Sequence, residues 1–329
     1  MSEFQRDFQL FGMPFALVSN YRDVIFDDEY FLGHGGYLHS LLSNFHTLGP
    51  TGEPAEDPQF RVVIDNRDEP TISLTQSAGE YRFSGPVRSL EEATHDRRSS
   101  IFGNMGVFSK ILVRELEKCG IFSFHSTSFV VPGTNHLILV LGGSGSGKST
   151  VALRAVLDGL EVFGTELTHF RFTDGGVEFL KGSLWQNCRM GNLVLDFPSL
   201  LVRFQITRIP DGDPWIHYQS VNMTDWSHRD DKLFQPVISV LFPRIESERR
   251  VPTRYESPAS GIAYSLYGNL SDKVSPPSHL YKRVFIPSLD APEDQVRRMK
   301  AAEQFVRDAD IQTVWNTLTS PADCLEGVL

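Results

Sequence analysis

The sequence is poor in cysteine, has no long apolar run and carries no excess of positive charge. Each shortage narrows what the chain can be. Its 329 residues include three cysteines, Cys119, Cys188 and Cys324, too far apart for a disulfide framework or a metal knuckle. A reducing, cytoplasmic setting is the simplest expectation. The longest uninterrupted apolar stretches, such as Leu137–Leu141, are strand-sized and too short to span a bilayer. The N-terminus places Glu3, Arg6 and Asp7 before an apolar stretch that Gln9 and Pro14 interrupt, unlike a secretory leader. With 31 Lys and Arg against 41 Asp and Glu, the net charge is −10, which argues against nucleic acid or an anionic membrane as partner.

Several signatures are missing as well. There is no Asn-Lys-x-Asp guanine-reading element and no Leu-Ser-Gly-Gly transporter motif. Ser227-His228-Arg229-Asp230 brushes against a protein-kinase catalytic loop. However, position 235 is Gln where Asn is required, and no Asp-Phe-Gly follows, so a solvated turn is the better reading.

What remains is globular: 40% hydrophobic and 22% charged, enough for two domains of ordinary size. Residues 1–100 read as short strands, Phe60–Ile64, Thr71–Thr75 and Tyr81–Phe83, between loops at Pro50–Pro58 and Arg67–Pro70. They are expected to form a small antiparallel, β-rich unit, the part of the chain without a chemical motif and so the place to look for substrate binding. From Ser100 onward the pattern changes. Phe102, Met105, Phe108, Leu112, Leu116 and Cys119 recur at helical spacing and Gly120 supplies a stop. Strands are expected at Ile121–Val131 and His136–Leu141, then a glycine loop, a helix over about 148–158 ending at Gly159, and a strand from Leu160 to Phe163. Further strands are expected at Leu193–Leu195, Leu201–Ile206 and Val237–Phe242. Ser257–Pro258 opens one helix and Pro292-Glu293-Asp294 another through about Val306, followed by a strand at Ile311–Leu318. Strand, loop, helix, strand is the skeleton of an α/β nucleotide-binding core over residues 101–329.

The loop carries the sharpest signal. Gly142-Gly143-Ser144-Gly145-Ser146-Gly147-Lys148-Ser149 fits G-x-x-x-x-G-K-[ST] in full. Gly143, Gly145 and Gly147 would let successive N–H groups of Ser144, Ser146 and their neighbours turn toward a phosphate without side-chain clash. The helix beginning through Thr150 aims its positive end at the same anion. Lys148 would clamp the β- and γ-phosphates and Ser149 would ligate Mg²⁺.

Phe124-His125 with its hairpin to Asn135, the loop Gly142–Ser149, then Ala152-Leu153 and Gly159 resemble the catalytic core of the HPr kinase/phosphorylase family, whose fold is related to phosphoenolpyruvate carboxykinase. The resemblance spans about Ile121 to Thr168 and is fainter over Ala291–Leu318. It implies a mixed-sheet P-loop core, ATP and Mg²⁺, phosphoryl transfer to a hydroxyl or similar nucleophile, and a homo-oligomer. No lobe like the HPr kinases' own N-terminal domain is apparent, which favours the branch acting on small metabolites or peptides. A regulatory protein kinase/phosphorylase, or a nucleotide-binding regulator that transfers nothing, are the alternatives.

The family's paired aspartates fall at Thr165 and Glu166 here. Thr165 is no general base, whereas Glu166 can serve Mg²⁺ or the base role. The candidate bases rank Glu166, Asp196, His125. Asp196 ends Leu193–Leu195 in the manner of a Walker B strand, or else caps the turn before Pro198. His125 is either a site histidine or a core one. Arg189, in Cys188–Asn192, loosely resembles the family's Arg-Gly loop and would stabilise transferred charge. Arg249, Arg250 and Arg254 are either a lid or, more simply, a solvated face.

Overall fold

The computed structural model describes residues 3–26, 45–48, 58–92, 101, 106–246, 248–249, 251–280 and 284–328. They make a mixed α/β protein of two compact units: residues 1–119 with 274–290, and residues 120–273 with 291–329. No helix among the described residues is long and apolar enough to cross a membrane.

In the first unit, β1 (Phe4–Leu10) and β2 (Met13–Ser19) form a hairpin turning at Phe11-Gly12, both at positive φ. A short helix α1 (Arg22–Phe26) follows. Then come β3 (Phe45–Leu48), β4 (Phe60–Asn66), β5 (Ser73–Ser77), β6 (Glu80–Gly85) and helices α2 (Val87–Glu92) and α3 (Val107–Lys118). The sheet order is β3-β1-β2-β4-β6-β5. It is mixed, not antiparallel as the sequence suggests, because β2–β4 and β4–β6 run parallel. Phe8, Phe15, Phe60 and Phe108 are buried together, with Phe15 stacked between Phe8 and Phe60 and α3 supplying Phe108. The expected loop at Pro50–Pro58 lies, but for Pro58, outside the described residues, as do Phe102 and Met105 of the helical spacing.

The second unit is built on β7 (Ile121–Val130) and β8 (His136–Leu141), as the sequence predicts. Helix α4 (Lys148–Leu157) leads to β9 (Glu161–Gly164), then β10 (Leu167–Thr173), β11 (Gly176–Leu180) and β12 (Trp185–Arg189). The expected strands at Leu193–Leu195 and Leu201–Ile206 are absent. Asn192–Asp196 forms a π-helical turn, and Ser199–Arg203 is a short helix, α5. Both segments are short apolar runs, where periodicity cannot separate a buried helical turn from a strand. After β13 (Tyr218–Asn222), β14 (Lys232–Phe234), β15 (Val237–Ile245) and β16 (Thr253–Glu256) comes helix α6 (Ala259–Ser271), for which Pro258 is the N-cap. A small hairpin, β17 (Ser278–Leu280) with β18 (Val284–Ile286), belongs to the first unit. Helix α7 (Pro292–Asp308) and β19 (Asp310–Thr319) complete the second.

The larger mixed sheet runs β14-β11-β10-β7-β8-β15-β19-β16, with β9 beside β7. Strands β8, β15 and β19 are parallel at its centre. Strand β8 explains why: Leu137, Leu139 and Leu141 pack on one face with Leu266, Leu270 and Phe305, while Ile138 and Val140 pack on the other with Val151, Ala152 and Ala155. A strand buried on both faces needs a continuous apolar run, which His136–Leu141 supplies.

Candidate functional site

The glycine loop leaves the carboxyl end of β8, next to the carboxyl end of the parallel β15. In open parallel sheets ligands bind in the crevice outside such strand ends. Gly142, Gly145 and Gly147 all have positive φ, and Gly147, at +105°, is the N-cap of α4. The loop's geometry excludes larger residues at two of these positions. A Cβ on Gly147 would lie 2.2 Å from Ile245 Cγ1, and one on Gly142 would lie 2.5 Å from Ser146 Oγ. Gly143, Ser144 and Gly145 are exposed, and Ser146 Oγ is buried without a hydrogen-bond partner among the described residues.

Lys148 folds back over this loop. Its Nζ donates to the carbonyl oxygens of Gly142 at 2.6 Å and Gly143 at 3.0 Å. Burial lowers the Lys148 pKa to about 8, opposed by the neighbouring Glu166 carboxylate. Ser149 Oγ receives a hydrogen bond from Gln186 Nε2 at 3.0 Å, and the same amide nitrogen reaches Glu166 Oε1 at 3.4 Å. Gln186 thus joins the two oxygens assigned to a metal. A hydroxyl and a carboxylate gathered around one donor are hard oxygens of the kind Mg²⁺ takes, alongside water and phosphate oxygens. Among the described residues no group of three or more His, Cys, Asp or Glu is arranged to hold a metal ion on its own. Phosphate oxygens would have to complete the shell, with Ser149 and Glu166 as the protein's share.

His125 lies on the other side of Glu166. Its Nε2 is 3.9 Å from Glu166 Oε2, and its Nδ1 is hydrogen-bonded to Asp272 Oδ2. Asn269 Nδ2 donates to the His125 carbonyl at 3.0 Å, so the end of α6 holds this residue at both ring and backbone. Lys273 Nζ is 3.8 Å from Glu166 Oε2. Burial lowers the His125 pKa to about 4, even though the Asp272 bond pulls upward, and the charges of Lys273 and Lys148 push the same way as burial. The Asp272 carboxyl is held below its ordinary value, chiefly by the His125 hydrogen bond.

Thr165 is buried and tied down. Its hydroxyl contacts the carbonyl oxygens of Ser183 at 3.0 Å and Trp185 at 2.6 Å, and its N–H donates to Ser183 O at 2.9 Å. It closes the end of β9 onto the segment before β12.

Comparison with known proteins adds no relative: no family model and no curated protein matches the chain.

The structure therefore gathers Lys148, Ser149, Glu166 and His125, as the sequence pairs them, and adds Gln186, Asn269, Asp272 and Lys273, which carry no motif. Asp196 sits elsewhere, at the end of the π-helical turn rather than a strand. Its carboxylate accepts from Asn192 Nδ2 at 2.9 Å, and that amide also donates to Thr150 Oγ1 at 3.2 Å. Partial burial raises the Asp196 pKa, against the Asn192 bond. Arg189 turns toward the partner strand of β12, β13: its guanidinium lies 4.8 Å from the Tyr218 ring centroid and donates to Trp215 O. Arg249 bonds Val251 O and Thr253 Oγ1 within its own loop, Arg254 reaches Asp323 O, and Arg250 is outside the described residues.

Proposed function

We propose that the chain is an ATP- and Mg²⁺-dependent phosphotransferase that moves the γ-phosphoryl group to a hydroxyl, or similar nucleophile, on a small metabolite or peptide. The core is read as a P-loop fold of the HPr kinase-like kind. The observation that carries this is Lys148, held over its own glycine loop by the Gly142 and Gly143 carbonyls and facing Glu166. A lysine in that position can exchange two neutral carbonyls for the β- and γ-oxygens of a nucleotide, a stronger charge-assisted bond. The unpartnered Ser146 Oγ and the open Gly143–Gly145 rim leave donors for the same phosphates.

In that reading the loop amides and Lys148 hold the phosphates. Glu166 and Ser149 would hold Mg²⁺, which would supply neutralisation of the charge developing on the phosphates. One observation favours a second reading, a nucleotide-binding module without transfer: Thr165 stands where the family has aspartate, and its hydroxyl is committed to two backbone carbonyls. Base assistance contributes only about 10²–10⁴ in rate, and positioning plus charge stabilisation dominate phosphoryl transfer, so transfer survives that loss.

The test is incubation with Mg-ATP and a broad set of hydroxyl metabolites and peptides, followed by mass spectrometry for a gain of one phosphoryl group. Lys148→Ala is expected to abolish the gain while leaving the fold intact. Nucleotide binding without any transferred phosphate would select the second reading, and no binding at all would refute both.

A further inference from the structure

We propose that His125, positioned by Asp272, receives the proton of the acceptor hydroxyl, supplying the base that position 165 lacks. The inference rests on the phosphotransfer reading above and says which side chains serve its acceptor side.

The geometry comes first. His125 lies in the middle of β7, paired with Leu167 immediately after the Thr165-Glu166 pair, so its ring is delivered beside Glu166 by strand register. The Asp272 carboxylate on Nδ1 fixes the ring: a carboxylate accepts only, so Nδ1 carries the hydrogen, and in the neutral imidazole Nε2 then keeps its lone pair. Asn269, one turn earlier along the chain, anchors the same residue through its carbonyl. The lone pair then faces the Glu166 side, and Glu166 is linked through Gln186 to Ser149 on the loop. Nucleophile-side and phosphate-side groups thus meet at one carboxylate. This is the nucleophile–base–orienter logic of general-base catalysis, with the orienter coming from a distant segment of chain.

The competing bases are weaker. Thr165 directs its hydroxyl at two carbonyls, and a neutral hydroxyl is too weak a base to take a proton at neutral pH. Glu166 has Gln186 on one oxygen and Lys273 and His125 near the other, and what remains of its carboxylate is assigned to the metal. The charged groups facing the His125 ring are the carboxylates of Asp272 and Glu166 and the ammonium groups of Lys148 and Lys273.

In the step itself the acceptor oxygen attacks the γ-phosphorus as its O–H proton passes to His125 Nε2. The bond from the γ-phosphorus to the bridging oxygen breaks, and ADP leaves with that electron pair. The products are a phosphate monoester, ADP and one proton that the imidazolium later returns to solvent. Nothing is oxidised or reduced.

Wild type, Asp272→Asn, Asp272→Ala and His125→Gln would be compared with Mg-ATP, using water as the hydroxyl acceptor and a fluorescent ATP analogue to follow binding. Each variant is expected to lose about 10²–10⁴ in kcat, the span of base assistance, with KM and analogue affinity close to wild type. Asparagine is the decisive variant. Its amide can still bond the ring, so a merely structural contact would be rescued, whereas an Asn NH₂ facing Nδ1 selects the tautomer with its hydrogen on Nε2 and gives no rescue. Ring ¹⁵N correlation spectra of the wild type, with His125 assigned by its loss in His125→Gln, are expected to show hydrogen on Nδ1. Hydrogen on Nε2 in the wild type, or wild-type kcat in Asp272→Asn, would overturn the base while the kinase reading stands. A wild type that binds the analogue but neither hydrolyses ATP nor phosphorylates any of the metabolites and peptides above would overturn the base together with transfer, and one that binds nothing would overturn the whole reading.

Discussion

Replacing Gly147 by alanine tests the loop's construction most directly. The position has φ +105°, a region L-residues enter at a cost of about 1–2 kcal/mol. The added Cβ would meet Ile245 Cγ1 at 2.2 Å, Cβ at 2.9 Å and Cδ1 at 3.5 Å. A rotamer change can move Cγ1 and Cδ1, but Ile245 Cβ is fixed to the β15 backbone, so a shift of strand or loop is unavoidable. Overpacking of this kind costs about 1–3 kcal/mol, which brings the total for Gly147→Ala to about 2–5 kcal/mol. The assay is denaturant unfolding followed by tryptophan fluorescence. All four tryptophans, at 185, 215, 226 and 315, belong to the second unit, so the signal reports the unit that carries the loop. Gly143→Ala is the internal control. An added methyl there would have no atom within 4 Å, and the position does not have a positive φ, so this variant is expected to stay within about 0.5 kcal/mol of wild type. Adding Ile245→Ala to Gly147→Ala removes the nearer of the two clashing atoms, Cγ1, and should recover about 1 kcal/mol as a coupling between neighbours. A Gly147→Ala midpoint equal to wild type, or an equally damaged Gly143→Ala, would refute the reasoning.

Two further outcomes follow from buried groups. Placing an aspartate at position 165 is expected to harm the protein: Thr165→Val loses about 1–2 kcal/mol with its hydroxyl hydrogen bonds, whereas Thr165→Asp sets a buried carboxylate against two carbonyl oxygens and loses about 3–5 kcal/mol. Equal midpoints for the two variants in the same fluorescence assay would show that the carbonyls do not define this position. Cys119 is exposed while Cys188 and Cys324 are buried, and burial pushes the Cys324 thiol up to about 12 and raises that of Cys188 as well. A thiol reagent is therefore expected to modify Cys119 alone in the native protein and all three cysteines in guanidinium, and rapid native modification of Cys188 or Cys324 would contradict the packing.

The elements legible in the sequence are those whose pattern has a single physical solution. His136–Leu141 reads as a strand because a Pro-Gly turn precedes it and a glycine loop follows, and that loop reads as the turn into the helix that Lys148 begins. Pro292 with Glu293 and Asp294 marks the start of α7 for the same reason: each residue type suits a helix N-terminus. The pattern fails where a short apolar run has two solutions. Leu193–Leu195 and Leu201–Ile206 both contribute to the core around the helix after the loop, and either a strand or a helical turn would bury them. The first sheet defeats local reading for another reason. Its parallel pairings, β2 with β4 and β4 with β6, join strands through intervening chain whose composition says nothing about direction.

The candidate site divides along the same line. Lys148 and Ser149 are fixed by a contiguous motif, and Glu166 and His125 are reached through the resemblance of the strands that flank it, so a linear reading extends to them. Asp272 and Lys273 are out of its reach, since they lie roughly 100 residues beyond Glu166 and are brought in only because α6 packs on the face of β7 and β8. Thr165 links the two halves of this reasoning. As a gap in a motif it suggests a lost activity. As a side chain it is a strut that bonds Ser183 and Trp185, holding the segment that leads into β12 and so to Gln186, the residue that joins Ser149 to Glu166. A carboxylate there would break that strut. Under the proposed phosphotransfer the proton acceptor has to come from elsewhere than position 165, and Asp272 and Asn269 at the end of α6 hold His125 by its ring and its backbone.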